Sequence, residues 1–172
     1  MKESLGDILY VTRSPYLVHN SRNIYYAAGY TNEDQQIDFL SFQEYLESIH
    51  VPGGREMSFR EFAGWFTRHR AASGLKDAHQ LFEEFKGVIA GPITDSPYLS
   101  REEYLDLGIK QSIFSREERE GVYDLFTKYL AYMDAEGYYD ANILSHNYMG
   151  RVEPRYDFAV VDEVQDLTNI QL

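Results

Sequence analysis

The sequence predicts a helix-rich α/β protein in which a small parallel sheet is interrupted by a large helical insertion. Two observations lead to this fold class. Helix-start signals recur along the chain, and three short apolar segments typical of buried strands lie near its two ends. With 172 residues, of which 44% are hydrophobic and 15% aromatic, the chain can bury a sizeable core. It is therefore expected to be a packed globular protein and not a disordered tail.

Capping signals predict where the helices begin. A Ser at the N-cap with Glu three residues later satisfies two backbone N–H groups reciprocally. This pattern occurs at Ser41/Glu44, Ser58/Glu61, Ser100/Glu103 and Ser115/Glu118. Ser14 followed by Pro15 marks a further start, because proline suits the first helical turn, and that helix is expected to end at Gly29.

Apolar residues at spacings of three and four predict two longer helices. The first stripe consists of Ala78, Leu81, Phe82, Phe85, Val88 and Ile89. We expect it to form one helix that ends near Gly91 and Pro92. The second stripe consists of Val122, Leu125, Phe126, Tyr129, Leu130 and Met133. Gly137 is placed to end that helix. Both stripes are interpreted as core faces without chemistry.

Three segments are short, rich in apolar and β-branched residues, and bounded by polar or turn residues. They are residues 8–12, 37–40 and 158–161. Such runs are typical of strands buried in a parallel sheet. We therefore expect residues 1–50 and 151–172 to form one partial α/β domain. The helical insertion is expected to span residues 51–150.

The bulk properties exclude several classes of protein. The net charge of −12 argues against nonspecific nucleic-acid binding, so any such contact must depend on particular residues. The absence of cysteine excludes disulfides and thiolate zinc sites. No apolar run approaches the ~20 residues of a membrane span, and the N-terminus lacks the apolar stretch of a signal peptide. We expect a cytoplasmic protein without a membrane partner.

Two carboxylates follow the third predicted strand directly. Asp162 and Glu163 would lie at the carboxyl edge of the sheet, where ligands bind in open α/β folds. Phosphoryl transfer to water needs one carboxylate for magnesium and one group that orients or deprotonates the water. Asp162, at the strand end, suits the first role and Glu163 the second. A strand that simply ends in a solvated acidic turn is the alternative reading.

The longer string Asp162-Glu-Val-Gln-Asp166, followed by Gln171, resembles the Walker B motif of UvrD/Rep/PcrA-type superfamily 1 DNA helicases. The resemblance implies a partial RecA-like P-loop NTPase domain with ATP and Mg²⁺ as cofactors. By this resemblance Asp162 would bind magnesium and Glu163 would be the catalytic residue that activates water. Gln165 and Asp166 would link the nucleotide site to neighbouring motifs.

Two further segments resemble motifs of the same family. Residues 9–17, Leu-Tyr-Val-Thr-Arg-Ser-Pro-Tyr-Leu, resemble motif Ia, and residues 40–45 resemble the motif that follows it. In the second segment Ser41 replaces the usual Thr and Gln43 the usual His. The stretch from residue 98 to 140 resembles the helical insertion of these motors. The resemblance implies single-stranded DNA contacts from Thr12, Arg13, Ser14, Ser41 and Phe42.

The sequence contains no Gly-x-x-x-x-Gly-Lys-[Ser/Thr] segment, the loop that cradles phosphates. The resemblance therefore implies a fragment that lacks Walker A and the second motor domain and is inactive alone. The intact parent would couple ATP hydrolysis to movement on single-stranded DNA. One alternative is a non-enzymatic helicase-like module for protein contacts. Another is an ATPase of the motor family that acts on RNA or protein partners.

Overall fold

The computed structural model describes residues 6–29, 35–70 and 74–172. The chain divides into two compact units. The sheet unit comprises Met1–Val51 and Tyr148–Leu167, and the helical unit comprises Pro52–Asn147 and Thr168–Leu172. Within the described ranges, no helix is both long and apolar enough to cross a membrane. The extreme N-terminal residues, on which the expectation about a signal peptide depends, lie outside those ranges.

The predicted α/β class with a small parallel sheet is confirmed. In chain order the strands and α-helices are β1 (Ile8–Thr12), α1 (Pro15–Ala27), β2 (Ile37–Ser41), α2 (Phe42–Ile49), β3 (Arg55–Glu56), α3 (Phe59–His69), α4 (Ala78–Glu83), α5 (Arg101–Leu105), α6 (Arg116–Glu136), β4 (Tyr138–Tyr139), α7 (Ala141–Met149) and β5 (Phe158–Val161). A π-helix (Glu84–Ile89) continues α4. Two 3₁₀-helices, Val164–Asp166 and Asn169–Gln171, follow β5.

The sheet unit is built on three parallel strands in the order β2-β1-β5. All three predicted strands are confirmed, and β2 extends one residue further, to Ser41. Thr12 of β1 is the register partner of Ser41, and Val11 is the partner of Val161. Because the strands are parallel, their carboxyl ends meet at one edge of the sheet. The helix α1 follows β1 and leads to β2, which gives the expected strand-helix-strand unit.

The predicted capping signals all form. Reciprocal capping boxes begin α2, α3, α5 and α6 at Ser41, Ser58, Ser100 and Ser115. The Ser14 hydroxyl accepts a hydrogen bond from the Leu17 backbone N–H at 3.4 Å, and Pro15 occupies the first turn of α1. Gly137 ends α6 in the left-handed conformation, with φ of 68°, which only glycine adopts without steric cost.

The core of the helical unit is aromatic. Phe62 and Trp65 on α3 and Tyr129 on α6 are at most 1% exposed. The Phe62 ring lies 5.4 Å from Trp65 and 5.5 Å from Tyr129, centroid to centroid. Both predicted apolar stripes therefore face this core. Aromatic pairs at these distances add to the stabilisation that comes from burying their area.

The prediction of one continuous α-helix over the first stripe is wrong in its second half. After Glu83 the backbone widens into the π-helix, and the Ala90 N–H bonds to the Phe85 carbonyl at 2.9 Å. An α-helical bond would instead engage the carbonyl of Lys86, four residues back. That carbonyl accepts a hydrogen bond from the Asn142 side-chain amide at 2.7 Å. A partner distant in sequence therefore uses the acceptor that a regular helix needs.

The short strands β3 and β4 pair in parallel within the helical unit. Arg55 is the register partner of Tyr138, and the Arg55 N–H donates to the Gly137 carbonyl at 3.1 Å. Gly54, with φ of 92°, lies so close to Gly137 that an added Cβ would be 2.1 Å from the Gly137 carbonyl oxygen. Glycine is required at position 54 both for its conformation and for this approach.

Candidate functional site at the carboxyl edge of the sheet

The carboxyl edge of the sheet brings together residues that are far apart in sequence. Thr12 and Ser41 end β1 and β2, and Asp162 directly follows β5. The Asp162 N–H donates to the Val11 carbonyl at 2.9 Å, which extends the β1–β5 pairing by one residue. The backbone of Asp162 is therefore fixed by the sheet itself. Its side chain begins from a defined position at this edge.

Both oxygens of the Asp162 carboxylate accept a hydrogen bond. Oδ2 accepts from the Tyr10 hydroxyl at 2.5 Å, and Oδ1 accepts from the Glu163 N–H at 3.0 Å. Hydrogen bonds to a carboxylate are charge-assisted and stronger than neutral ones. Each oxygen has two lone pairs, so one acceptor position on each remains open to a further ligand. The carboxylate is oriented without being saturated.

Tyr10 is a site residue that the sequence analysis missed. Its ring lies 5.3 Å from that of buried Phe39, and its hydroxyl also contacts the Ser21 hydroxyl on α1 at 2.9 Å. Burial raises the pKa of the Tyr10 phenol, and the hydrogen bond to Asp162 raises it further. The phenol therefore keeps its proton at neutral pH. A tyrosine two residues before the end of a predicted strand is the only sequence signal, and it names no partner.

Glu163 has a backbone conformation that is rare for its residue type. With φ of 54° and ψ of 46° it is left-handed, and among the described residues it is the one non-glycine with positive φ. Such a conformation costs of order 1–3 kcal/mol and is concentrated at functional sites. The side chain is exposed, and its Oε2 accepts a short hydrogen bond from the Gln165 amide. The turn directs the second carboxylate away from the line of the strand.

Gln165 and Asp166 lie in the 3₁₀-helix that follows this turn. The Asp166 N–H donates to the Glu163 carbonyl at 2.9 Å. The Asp166 carbonyl accepts from the Arg13 guanidinium at 3.1 Å, which ties the segment after β5 to the residue after β1. Of the predicted cofactor-binding residues, Asp162, Gln165 and Asp166 are thus grouped with the predicted catalytic Glu163.

The residues predicted to contact DNA differ in their accessibility. Thr12 is 0% exposed, and its hydroxyl finds no hydrogen-bond partner among the described residues. Ser41 and Phe42 are also buried, and the hydroxyls of Ser14 and Ser41 cap helices. Arg13 is exposed. A direct side-chain contact with DNA therefore stays a prediction that the geometry favours most for Arg13.

The donor set at this edge fits a magnesium ion that is shared with a phosphate ligand. No group of three or more His, Cys, Asp or Glu residues able to hold a metal occurs in the described part of the chain. Mg²⁺, however, is usually held by one or two carboxylates together with waters and substrate phosphates. Asp162 meets that requirement because its oxygens keep open acceptor positions. The chain's own contribution would be one oriented carboxylate.

The strand that carries the site is unusually open. Phe158 is 62% exposed and Val160 49%, although both belong to a parallel sheet.

A cavity of about 530 Å³ in the sheet unit is bordered by Leu9, Arg155 and Ala159, among others. Leu9 points to the face opposite Tyr10, because successive side chains alternate across a strand. None of the predicted site residues lines this cavity, and the carboxylates stand outside it.

The fold and the site together define a class: an α/β protein with two adjacent carboxylates at the carboxyl edge of a parallel sheet. Beyond that class, neither a protein-family model, nor a curated protein, nor a solved structure matches the chain.

Proposed function

We propose that this chain is part of a nucleic-acid motor of the superfamily 1 helicase type. Its sheet unit is then part of a RecA-like domain, and the intact protein hydrolyses ATP, with magnesium, during movement on single-stranded DNA. The observation that carries the proposal is the pair Asp162-Glu163 at the carboxyl end of β5. The order β2-β1-β5, with every strand parallel, supports it because ligands of open α/β sheets bind at this edge.

Each residue of the pair has a separate task. Asp162, fixed by the backbone of β1 and by Tyr10, offers oriented carboxylate oxygens to magnesium. The metal, when bound, neutralises charge on the phosphate oxygens. Glu163, exposed and turned out of the strand, orients the attacking water and accepts its proton. The Gln165 amide holds the Glu163 carboxylate in place through its hydrogen bond.

The chain does not contribute the phosphate-binding loop, since its sequence has no Gly-x-x-x-x-Gly-Lys-[Ser/Thr] segment. Positioning of the β- and γ-phosphates is most of what a protein does in phosphoryl transfer. We therefore expect the isolated 172-residue chain to show no ATP turnover. Robust hydrolysis by the purified chain would contradict this part of the proposal.

The proposal is tested by ATP hydrolysis in the complete natural protein that contains this chain, with and without single-stranded DNA. Glu163→Gln keeps the side-chain shape and removes the base, so DNA-stimulated hydrolysis should fall by roughly 100-fold or more. Glu153→Gln is the matched control, because Glu153 is an exposed acid of the same unit outside the site. It should leave the rate unchanged. Absence of hydrolysis in the wild type, or equal rates in the two variants, would favour a helicase-shaped module for protein contacts.

A further inference from the structure

The side chain of Tyr10 reaches from the central strand β1 to the carboxylate that follows the edge strand β5. Its hydroxyl lies 2.5 Å from Asp162 Oδ2 and 2.9 Å from the Ser21 hydroxyl. We propose that Tyr10 is a positioning residue that holds the Asp162 carboxylate in the orientation in which it receives a divalent cation. This inference rests on the proposed function, in which Asp162 is the magnesium ligand.

The direction of the two hydrogen bonds follows from the chemistry of the groups. A carboxylate can only accept, so Tyr10 gives its single hydroxyl hydrogen to Asp162. Ser21 must then be the donor to the Tyr10 oxygen. The result is a relay from α1 through β1 to the end of β5. Each donor in the relay is held by a regular element of secondary structure.

Among the described residues, Tyr10 is the one side-chain donor to the Asp162 carboxylate. The other hydrogen bond to this carboxylate comes from Glu163, its own neighbour in the chain. Because that donor is adjacent in the chain, it does not tie the carboxylate to another strand, whereas Tyr10 ties it to β1. Without the phenol hydroxyl, one carboxylate oxygen loses its bond and the group gains rotational freedom. Groups that orient a metal ligand in this way typically change metal affinity 10- to 100-fold.

The ring of Tyr10 is held independently of its hydroxyl. It packs at 5.3 Å from buried Phe39, a contact that phenylalanine at position 10 would keep. Tyr10→Phe therefore removes the hydrogen bond to Asp162 with little change of packing. The variant separates positioning of the carboxylate from folding of the sheet.

The chain offers a matched control in Tyr156 and Asp38. The Tyr156 hydroxyl donates to Asp38 Oδ2 at 2.6 Å, in the same unit and also partly buried. Asp38 lies near the start of β2, at the opposite end of the strands from Asp162. Tyr156→Phe removes an equivalent bond and should cost similar stability. It should leave the carboxylate at the candidate site untouched.

The experiment uses the complete natural protein with a non-hydrolysable ATP analogue and Mn²⁺ as the probe, with free Mn²⁺ followed by electron paramagnetic resonance. Tyr10→Phe should raise the Kd of Mn²⁺ by about tenfold. Ser21→Ala, one hydrogen bond further away, should raise the Kd less, and Tyr156→Phe should leave it within twofold of wild type.

In hydrolysis assays Tyr10→Phe should raise the Mg²⁺ concentration for half-maximal rate more than it lowers kcat at saturating Mg²⁺. A purely structural role would not produce that split.

Asp162→Asn separates a failure of the positioning role of Tyr10 from a failure of the proposed magnesium site. If it weakens Mn²⁺ binding strongly while Tyr10→Phe and Ser21→Ala bind like wild type, the positioning role is wrong and the proposed function stands. If Asp162→Asn binds Mn²⁺ as wild type does, the assignment of magnesium to Asp162 is wrong, and the inference about Tyr10 is overturned with it. An equal effect of Tyr10→Phe and Tyr156→Phe would also overturn the inference.

Discussion

The helical unit and the sheet unit cover their apolar side chains to very different degrees. In the helical unit Phe62 and Trp65 are 0% exposed, within a continuous aromatic core. In the sheet unit Phe158 is 62% exposed, on a strand whose run of apolar residues is typical of the interior of a parallel sheet. All three are aromatic residues in regular secondary structure. The sheet unit buries Phe39 and Phe42 but leaves its strand β5 largely exposed.

The comparison separates where the chain is stabilised from where it can act. Burial of apolar side chains is the main favourable term in folding, and the large buried cluster lies in the helical unit. The sheet unit instead has two carboxylates at one edge, beside an exposed strand. One of them, Glu163, has a left-handed backbone. Functional sites commonly carry strain and incomplete cover that the rest of a protein must offset. Substitutions should therefore have different consequences in the two units.

The largest expected difference comes from the same substitution made in each unit. Phe62→Ala should lower the free energy of unfolding by about 3–5 kcal/mol, because it leaves a cavity among rings that cannot collapse into it. Phe158→Ala should change it by less than about 0.5 kcal/mol, as expected for an exposed position. Urea unfolding followed by circular dichroism measures both, and Trp65 fluorescence follows the helical unit separately. Equal losses in the two variants would mean that β5 is covered in solution.

A smaller effect of opposite sign is expected at Glu163. Glycine adopts φ of 54° without the steric cost that a Cβ imposes there. Glu163→Gly should therefore be more stable to urea than Glu163→Ala by about 1 kcal/mol, although both lose the carboxylate and any hydrolysis that depends on it. The alanine variant is the control for loss of the side chain. Equal stability of the two would show that position 163 is not left-handed in solution.

The smallest effect concerns the sheet unit at alkaline pH. Burial, and then the hydrogen bond to Asp38, raises the pKa of Tyr156 to about 12. The phenol therefore ionises more readily in the unfolded chain, where its pKa is about 10. Its stabilising contribution is complete below pH ~10 and is lost as the pH rises through ~12. Unfolding free energies measured between pH 9 and 11.5 should fall more steeply for wild type than for Tyr156→Phe. If the unfolding free energy falls equally steeply with pH in wild type and Tyr156→Phe, burial and Asp38 do not raise the pKa of Tyr156 as stated.

Local signals in the sequence were sufficient for much of the fold. The capping boxes form because a serine and a glutamate three residues apart need only each other's backbone. The strands form where predicted because β-branched apolar runs leave few alternatives. The predicted bounds of the third strand match those of β5, so the position of Asp162 and Glu163 at the sheet edge was also predicted correctly. Their proposed chemistry stays a prediction.

Two of the features that escaped prediction involve partners distant in sequence. In the π-helix the Lys86 carbonyl accepts from the Asn142 amide, and neither residue carries a local signal for this contact. Tyr10 became a candidate site residue only when the pairing of β1 with β5 placed its hydroxyl beside Asp162. The left-handed turn at Glu163 contradicts local preference, since glutamate is rarely found there. The first two features are therefore tertiary, whereas the Glu163 turn is bonded to its own neighbours in the chain.

The pairing of β3 with β4 has a consequence for how this chain could have been assembled. Parallel neighbours in a sheet lie about 4.8 Å apart, so the segment between Glu56 and Tyr138 begins and ends at almost the same place. A segment with adjacent ends can be gained, lost or exchanged by one genetic event, because closing the gap requires only a short turn. Gly54 leaves no room for a side chain at this junction, because an added Cβ would meet the Gly137 carbonyl oxygen. Within the helical unit, the chain between these two strands therefore leaves and returns at one narrow junction.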